Sequence, residues 1–389
     1  MQRGNFTLGY CTNVHANASL AQTKANLARY ALGVKQRVSA DSPMGVGLWL
    51  SAAAADELAR TGQTRAFAGW LIDNGLLPFT MNGFPYGDFH QPVVKHLVYQ
   101  PTWWEPERLR YTLQLIDILD ELLPAGLEGS ISTLPIAWPT PLADPEHMQR
   151  AASQLLTVAE YLEKLEQRTG RLIYVCLEPE PGCLLDTTSD VVAFFQRYLL
   201  APSSAERTRR YLRVCHDVCH AAVMFEDQSE VFQQYQAAGI LVGKVQVSSA
   251  IVMRLDELPA EERLATLAEL ARFSEDRYLH QTCIRDEGRT TLYEDLPAAL
   301  ASAEERPRGE WRTHFHVPIY LERFGRLLTS RDQIDACLAA ARRYSACQHY
   351  EVETYAWGVL PAELRQMELA AGISEELEWF AARCAAETG

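Results

Sequence analysis

The chain has 389 residues, 48% of them hydrophobic and 22% charged, which is enough for a large buried core, and its formal net charge is −14 at pH 7. That charge repels phosphate backbones, so nucleic-acid binding is not expected, and no stretch reaches the roughly 18 uninterrupted apolar residues that membrane insertion requires. Nine cysteines, an odd number scattered without a spaced framework, read as the reduced thiols of a cytoplasmic protein.

In chain order, strand-like runs fall at 8–14, 45–50, 77–82, 129–134, 172–178, 212–217, 241–247 and 350–354. Between them apolar residues recur at helical spacing over 21–38, 52–74, 105–123, 145–168, 189–200, 221–238, 257–272 and 330–344. Strands alternating with helices pair in parallel, and eight of them close without an exposed edge. The expected fold is therefore an α/β chain, a single (β/α)8 barrel domain over 1–389 with long loops at its C-terminal face. Residues 361–388, rich in Glu, Leu and Ala, read as a helical extension packed on the barrel. An open doubly wound sheet is the alternative, but its glycine-rich phosphate loop is missing after the first strand.

Polar side chains collect at the ends of these runs: Glu178, Asp217 with His220, Gln246, His314 with His316, and Glu353. Side chains alternate faces along a strand, so Tyr174, Cys176 and Glu178 share the face opposite Ile173, Val175 and Leu177. The same parity aligns Asp217 with Cys215, Gln246 with Lys244, and Glu353 with Glu351. Inward oxygen donors converging on one rim, with few cationic side chains among them, point to a bound divalent cation, since unpaired buried charge is costly.

Glu178, Asp217, Gln246 and Glu353 form the expected metal set. Gln246 is a neutral oxygen donor and favours Mn²⁺ or Mg²⁺, whereas His220, His314 and His316 favour Zn²⁺ or a second ion. Glu178 and Glu353, one from each of two strands, suit an acid and a base on opposite faces of a hydroxy-ketone. For Glu178 the structural alternative is an ion pair with Arg213. Lys244, one layer below Gln246, is a substrate contact or a counter-charge to Glu351. Cys215 and Cys219 flank Asp217 at a spacing of four, but without a second pair they read as structural thiols. His216 faces outward by parity, and His147 and His349 look incidental.

Asn13 and His15 end the first strand and are candidate substrate contacts. The connection 83–104 follows the third strand and carries Phe84, Tyr86, His90, Tyr99 and Trp103, with Asn82 just before it; it reads as a lid or substrate wall, or as an apolar cap. A second long connection runs from Ser248 to His316 and includes a helix.

At these residues the chain resembles the xylose isomerase-like TIM barrels, a superfamily of sugar isomerases, ketose 3-epimerases, inosose dehydratases and endonuclease IV. Glu178 in Leu-Glu-Pro, Asp217-Val218-Cys219-His220 and Glu353 in Val-Glu-Thr look like that superfamily's glutamate, Asp-x-x-His and glutamate of the fifth, sixth and eighth strands. Gln246 departs from the usual seventh-strand histidine. His314-Phe315-His316 is similar to the Asp-x-His of endonuclease IV. More closely, Tyr10-Cys11-Thr12-Asn13, Asn82-Gly83-Phe84-Pro85-Tyr86-Gly87, Gly129-Ser130-Ile131-Ser132-Thr133 and Glu351-Val352-Glu353-Thr354-Tyr355 resemble EboE-type metabolite traffic proteins over nearly the whole chain. That resemblance implies a role in making or moving a secondary-metabolite precursor, with operon-encoded partner proteins, and leaves the oligomeric state open.

Two functions follow from this reading. One is a metal-dependent isomerase or epimerase for a sugar, cyclitol or other polyhydroxy ketone; the other is a binding and delivery protein on the same barrel. An endonuclease IV-like phosphodiesterase is a distant third, opposed by the acidic charge.

Overall fold

The computed structural model describes residues 2–3, 6–16, 18–139, 144–303, 307–362 and 367–386. Eight parallel strands run as β1 (Phe6–Cys11), β2 (Met44–Trp49), β3 (Leu76–Asn82), β4 (Gly129–Thr133), β5 (Ile173–Leu177), β6 (Leu212–Asp217), β7 (Val242–Val247) and β8 (His349–Val352). Each pairs with its neighbours in sequence order, and β1 also pairs with β8, so the sheet closes on itself. All eight predicted strands are present, and the barrel is the predicted one.

The outward faces of the strands are apolar. Val46, Leu48, Ile131, Val175, Val214, Val245 and Val352 are buried under the surrounding helices and supply the main core. Burying each such side chain contributes roughly 1.5–3 kcal/mol, so this shell outweighs the polar interior it encloses. The helix Pro145–Thr169 shows how local sequence sets its limits: the Asp144 side chain accepts from the His147 amide, proline occupies the first turn, and Gly170 ends it at φ 72°.

The helical expectations need three corrections. The run 52–74 is two helices, Ala52–Thr61 and Thr64–Asp73, parted at Gly62, whose φ of 63° no continuing helix adopts. The run 221–238 is likewise Val218–Val223 and Gln228–Ala238, parted where Phe225 takes φ 59° and Asp227 caps the second helix. The helix Ala260–Ala271 covers the 257–272 run but is not a barrel crossover.

That helix lies in an insertion between β7 and the helix Asp332–Tyr344. The insertion folds as a separate six-stranded antiparallel sheet, in the spatial order Arg289–Tyr293, Thr282–Asp286, Glu310–Thr313, Ile251–Arg254, Leu327–Thr329 and Arg323–Phe324. Its first hairpin turns on Glu287 and Gly288, both left-handed at φ 47° and 80°. A second apolar cluster joins insertion and barrel, with Ile251, Met253, Phe273 and Trp311 packed beside Trp49, Phe89, Tyr355 and Trp357. The C-terminal helix Leu369–Ala386 buries Ile373, Leu377 and Phe380, the last 5.8 Å from the Tyr350 ring on β8. No helix among the described residues is long and apolar enough to cross a membrane.

Candidate metal centre

The barrel interior is layered from bottom to top. Near the N-terminal ends, His349 Nδ1 meets Ser130 Oγ at 2.8 Å and its ring stacks on Tyr174, so His349 is a buried interior group and not an incidental one. Above it, Lys244 Nζ lies 2.6 Å from Glu351 Oε2, both fully buried, with Ser132 Oγ 3.2 Å from the ammonium. Burial works against the Lys244 charge, but Glu351 raises its pKa and keeps it protonated. This is the counter-charge arrangement, and it places Lys244 beneath the cleft. Gly47 makes room for it: a Cβ there would stand 1.1 Å from Glu351 Oε1.

The top layer holds the carboxylates. Glu178 and Glu353 each stand one residue past a strand end, held in register by Glu178 N–H to Thr133 O and Glu353 N–H to Val247 O, both 3.0 Å. Asp217 ends β6 and is in register with Gln246. One oxygen from each of Glu178, Asp217 and Glu353 lies within 4.8 Å of the others. Asn13 and Asn82 donate to Glu353 Oε1 at 2.7 and 3.0 Å. Burial pushes the Glu178 carboxyl up to about 7, with His220 pulling it down and Asp217 pushing it further up. Glu353 stands well above the ordinary range, through burial and then the negative charges of Glu178 and Asp217. Asp217 is also buried, but His220, His316, the His220 amide and the Ser248 hydroxyl hold it below the usual range.

Beside these lie three imidazoles whose tautomers are set by their partners. Nδ1 of His220 faces the Pro179 carbonyl at 2.8 Å and Nδ1 of His316 faces the Glu353 carbonyl at 2.7 Å; a carbonyl only accepts, so both Nδ1 atoms carry the proton. Nδ1 of His314 faces Gln281 Oε1 at 2.8 Å, and the Gln281 amide nitrogen is committed to Tyr99, Glu180 and Pro181. Each neutral ring therefore has its unprotonated nitrogen at Nε2; that of His316 has no hydrogen-bond partner, and that of His314 faces the Tyr355 hydroxyl at 3.4 Å. Asp217, His220 and His316 form one possible ligand group and Glu180, His220 and His314 another. The rings sit 4.7–5.9 Å apart, and burial with mutual repulsion drives His314 well below 6.5 and His316 to about 4. His220 goes the other way: burial opposes charge, but Asp217, Glu180 and Glu178 raise it.

Several buried polar atoms here have no hydrogen-bond partner: Glu178 Oε2, Asp217 Oδ2, His316 Nε2 and both amide atoms of Gln246. Orphans of this kind cost roughly 1–3 kcal/mol each. A cation facing Glu178 Oε2, Asp217 Oδ2 and His316 Nε2 would satisfy carboxylate oxygens and an imidazole nitrogen, so the donor set around Asp217 fits a divalent metal.

Other expected site residues are placed elsewhere. Trp103 is fully buried, its indole donating to Thr133 Oγ1, and Tyr86 packs on Tyr111 beside Arg108; neither lines the cleft, because both serve to anchor the 83–104 connection. His15 is buried against Tyr10 and Tyr30 rather than facing the cleft. His90 stands behind Asn13, its Nε2 2.6 Å from the Asn13 carbonyl. Arg213 lies over Tyr174 at 3.6 Å and reaches Glu128, so it does not pair with Glu178. His216 keeps its outward parity and bonds Gln228.

One group, Glu180, escaped the sequence reading, and a second, Cys219, was read there as a structural thiol. Glu180 is buried in the cleft wall and accepts from Tyr99 OH at 2.7 Å and Gln281 Nε2 at 3.1 Å; the signal was its spacing of two from Glu178. The Cys219 thiol lies within 4.8 Å of His314 and His316 nitrogens and is held protonated by burial and by Asp217 and Glu353. None of the nine cysteines is in a disulfide, and all nine are buried.

The cleft, about 530 Å³ of space that is partly open to solvent, is lined by Asn13, Asn82, Glu178, Glu180, His314 and Glu353 at its base, and by the 83–104 connection and the insertion above.

Neither a family model nor a curated protein matches the sequence. Solved structures share its fold. A D-tagatose 3-epimerase-like protein aligns over 98% of this chain and 99% of its own, with a TM-score of 0.51 at 12% identity. A xylose isomerase-like TIM barrel protein from Mycobacterium smegmatis, solved in complex with magnesium, aligns over 98% and 97% with a TM-score of 0.51 at 11% identity. The IOLI protein, solved with a zinc atom, aligns over 98% of both chains with a TM-score of 0.50 at 11% identity. The likeness is one of architecture alone, the (β/α)8 barrel.

Proposed function

We propose that this chain is a divalent-metal-dependent isomerase or epimerase acting on a sugar, a cyclitol or a similar polyhydroxy ketone. One observation carries the reading: two buried carboxyls, Glu178 and Glu353, approach Asp217 from two different strands, with burial pushing Glu178 up to about 7 and Glu353 well above the ordinary carboxylate range. Glu178, Asp217, Glu353 and Gln246 are a hard oxygen set suited to Mg²⁺ or Mn²⁺, while His220 and His316 with Asp217 suit Zn²⁺. Asp217 belongs to both groups, so the site has donors for one ion or two. The neighbours solved with magnesium and with zinc support the same range.

A bound ion would polarise the carbonyl oxygen of a ketone. The work of the chain itself is proton transfer. One carboxylate takes the proton from the carbon beside the carbonyl, and the other carboxyl returns a proton to the opposite face. A carboxyl poised near neutral both accepts and gives a proton at working pH. Asn13 and Asn82 fix the Glu353 side chain by donating to Oε1, which orients it for that exchange.

A binding and delivery role is the second reading, favoured by Gln246, which stands in place of a basic imidazole at the seventh strand and offers a weaker, neutral donor. A part in making or moving a secondary-metabolite precursor rests on the EboE-type sequence runs. The test is solvent exchange: protein loaded with Mn²⁺ or Zn²⁺ is incubated in D₂O with an inosose, and deuterium is expected at the carbon beside the carbonyl. Glu178→Gln and Glu353→Gln are each expected to abolish it. Tight binding with no exchange at any carbon would remove the isomerase reading and leave delivery in its place.

A further inference from the structure

We propose that the outer half of the cleft is an apolar subsite and that the ligand is an uncharged molecule whose oxygen-rich head carries a hydrophobic portion. The inference rests on the head-binding role assigned above to Glu178 and Glu353 and extends it to the substrate class. Opposite those carboxyls the wall is built from Phe84, Phe89, Val94, Val98, Tyr278 and Leu279. Two separate segments supply them, and they are bolted together. The Val94 and Lys95 amides donate to the Arg277 carbonyl at 2.7 and 2.9 Å, and Tyr278 OH donates to Phe89 O at 3.1 Å. The wall is thus preformed, as small-molecule sites usually are.

The polar atoms on this wall are already engaged. Tyr99 OH donates to Glu180, Tyr278 OH to Phe89 O, and Tyr355 OH lies 3.4 Å from His314 Nε2. Hydroxyls pressed against such a wall would lose water without gaining partners, at a cost of roughly 1–3 kcal/mol each. A sugar with hydroxyls on every side therefore fits the base of the cleft and not its outer half.

Charge makes the second selection. Lys95 is the lysine among the described lining residues, and its Nζ is already 2.6 Å from Asp295 Oδ2. Lys244 is committed to Glu351 one layer down. A phosphate or carboxylate on the ligand's outer end would find no unpaired lysine or arginine among the described lining residues, and the metal proposed at the base already has its charge offset by Glu178, Asp217 and Glu353.

The experiment uses metal-loaded full-length protein and four probes: the neutral fluorophore N-phenyl-1-naphthylamine, an inosose, its hexyl ether and its monophosphate. The fluorophore is expected to bind with enhanced emission and to be displaced by the hexyl ether roughly tenfold more effectively than by the inosose, as full burial of about two of its six carbons would give. The monophosphate is expected to compete worst. Val98→Asp should remove fluorophore binding, with Val98→Leu retaining it and circular dichroism confirming that both variants fold. Fluorophore binding unchanged by Val98→Asp, or a monophosphate that outcompetes the hexyl ether, overturns the subsite. Fluorophore binding that is lost in Val98→Asp while no inosose derivative competes upholds the subsite and counts against the head assignment alone.

Discussion

The Nδ1–H of His316, in the insertion just past its strand Glu310–Thr313, donates to the backbone carbonyl of Glu353, on the barrel, across 2.7 Å. One bond therefore aims two groups: it fixes the His316 tautomer with Nε2 bare toward Asp217 Oδ2, 3.9 Å away, and it pins the strand end that carries the Glu353 carboxyl. The insertion brings nitrogen donors to a rim that the barrel furnishes with oxygen.

His316→Gln is expected to separate the two donor sets. Zinc affinity, read by competition with a chromophoric chelator, should fall at least roughly tenfold, since imidazole nitrogen is the softer donor. Manganese affinity should change less, because Glu178, Asp217 and Glu353 persist. Equal zinc affinity in both proteins would remove His316 from the centre.

Glu376, on the C-terminal helix, accepts from the Thr354 hydroxyl, the Ile319 amide and the Trp357 indole. Burial lifts its carboxyl from 4.5 to about 7, against the lowering effect of those donors. Between these values the folded protein keeps a proton that the unfolded chain has lost, so stability falls as pH rises through this window and levels off above it. The share of Glu376 is about 3 kcal/mol. Urea midpoints measured from pH 5 to 8 in chelator should decline for the native protein and decline less steeply for Glu376→Gln; parallel slopes would disprove the assignment.

Lys244→Met leaves Glu351 buried without its counter-charge, and the expected loss is about 3–5 kcal/mol in urea unfolding. Adding Glu351→Gln should recover most of it. A double variant as unstable as the sum of the singles would show that the pair is not coupled.

Gly47→Ala forces a methyl onto the Glu351 carboxylate, so it should cost more than the roughly 1–3 kcal/mol of ordinary overpacking, because moving Glu351 also strands Lys244. In a Glu351→Ala background the same substitution should cost far less, and an equal cost there would refute the contact.

The barrel was legible because its signal is local: eight short β-branched runs, each followed by helical spacing, admit few parallel arrangements. Parity along β5 to β8 then placed Glu178, Asp217, Gln246 and Glu353 on the inner face. The insertion was not legible, since its strands are two to five residues long and pair antiparallel across separations that no local period records. His314 and His316 were noticed as a strand end, but the strand is Glu310–Thr313 of the second sheet and not one of the barrel's. Trp103 and Tyr86 were read as cleft residues because an aromatic-rich loop looks alike whether its rings face ligand or core. Glu180 was passed over because it lies beyond the end of β5, between Pro179 and Pro181, where strand parity no longer assigns a face.

The insertion also bears on how the chain finds its fold. The seam Tyr350↔Val245, Glu351↔Gln246 joins β8 to β7 across roughly a hundred residues, about 1 kcal/mol dearer in loop entropy than a ~30-residue crossover. Val317 N–H to Ser249 O and Ser330 N–H to Ala250 O, both 3.0 Å, draw the ends of the insertion together. Once they form, the helix Asp332–Tyr344 is the main element left to span, and the seam becomes an ordinary one. Closure is thereby ordered in time. Pulse-labelling hydrogen exchange during refolding is expected to protect the amides of Val317 and Ser330 before those of Tyr350 and Glu351, and the reverse order would show that the barrel closes first and the insertion folds onto it.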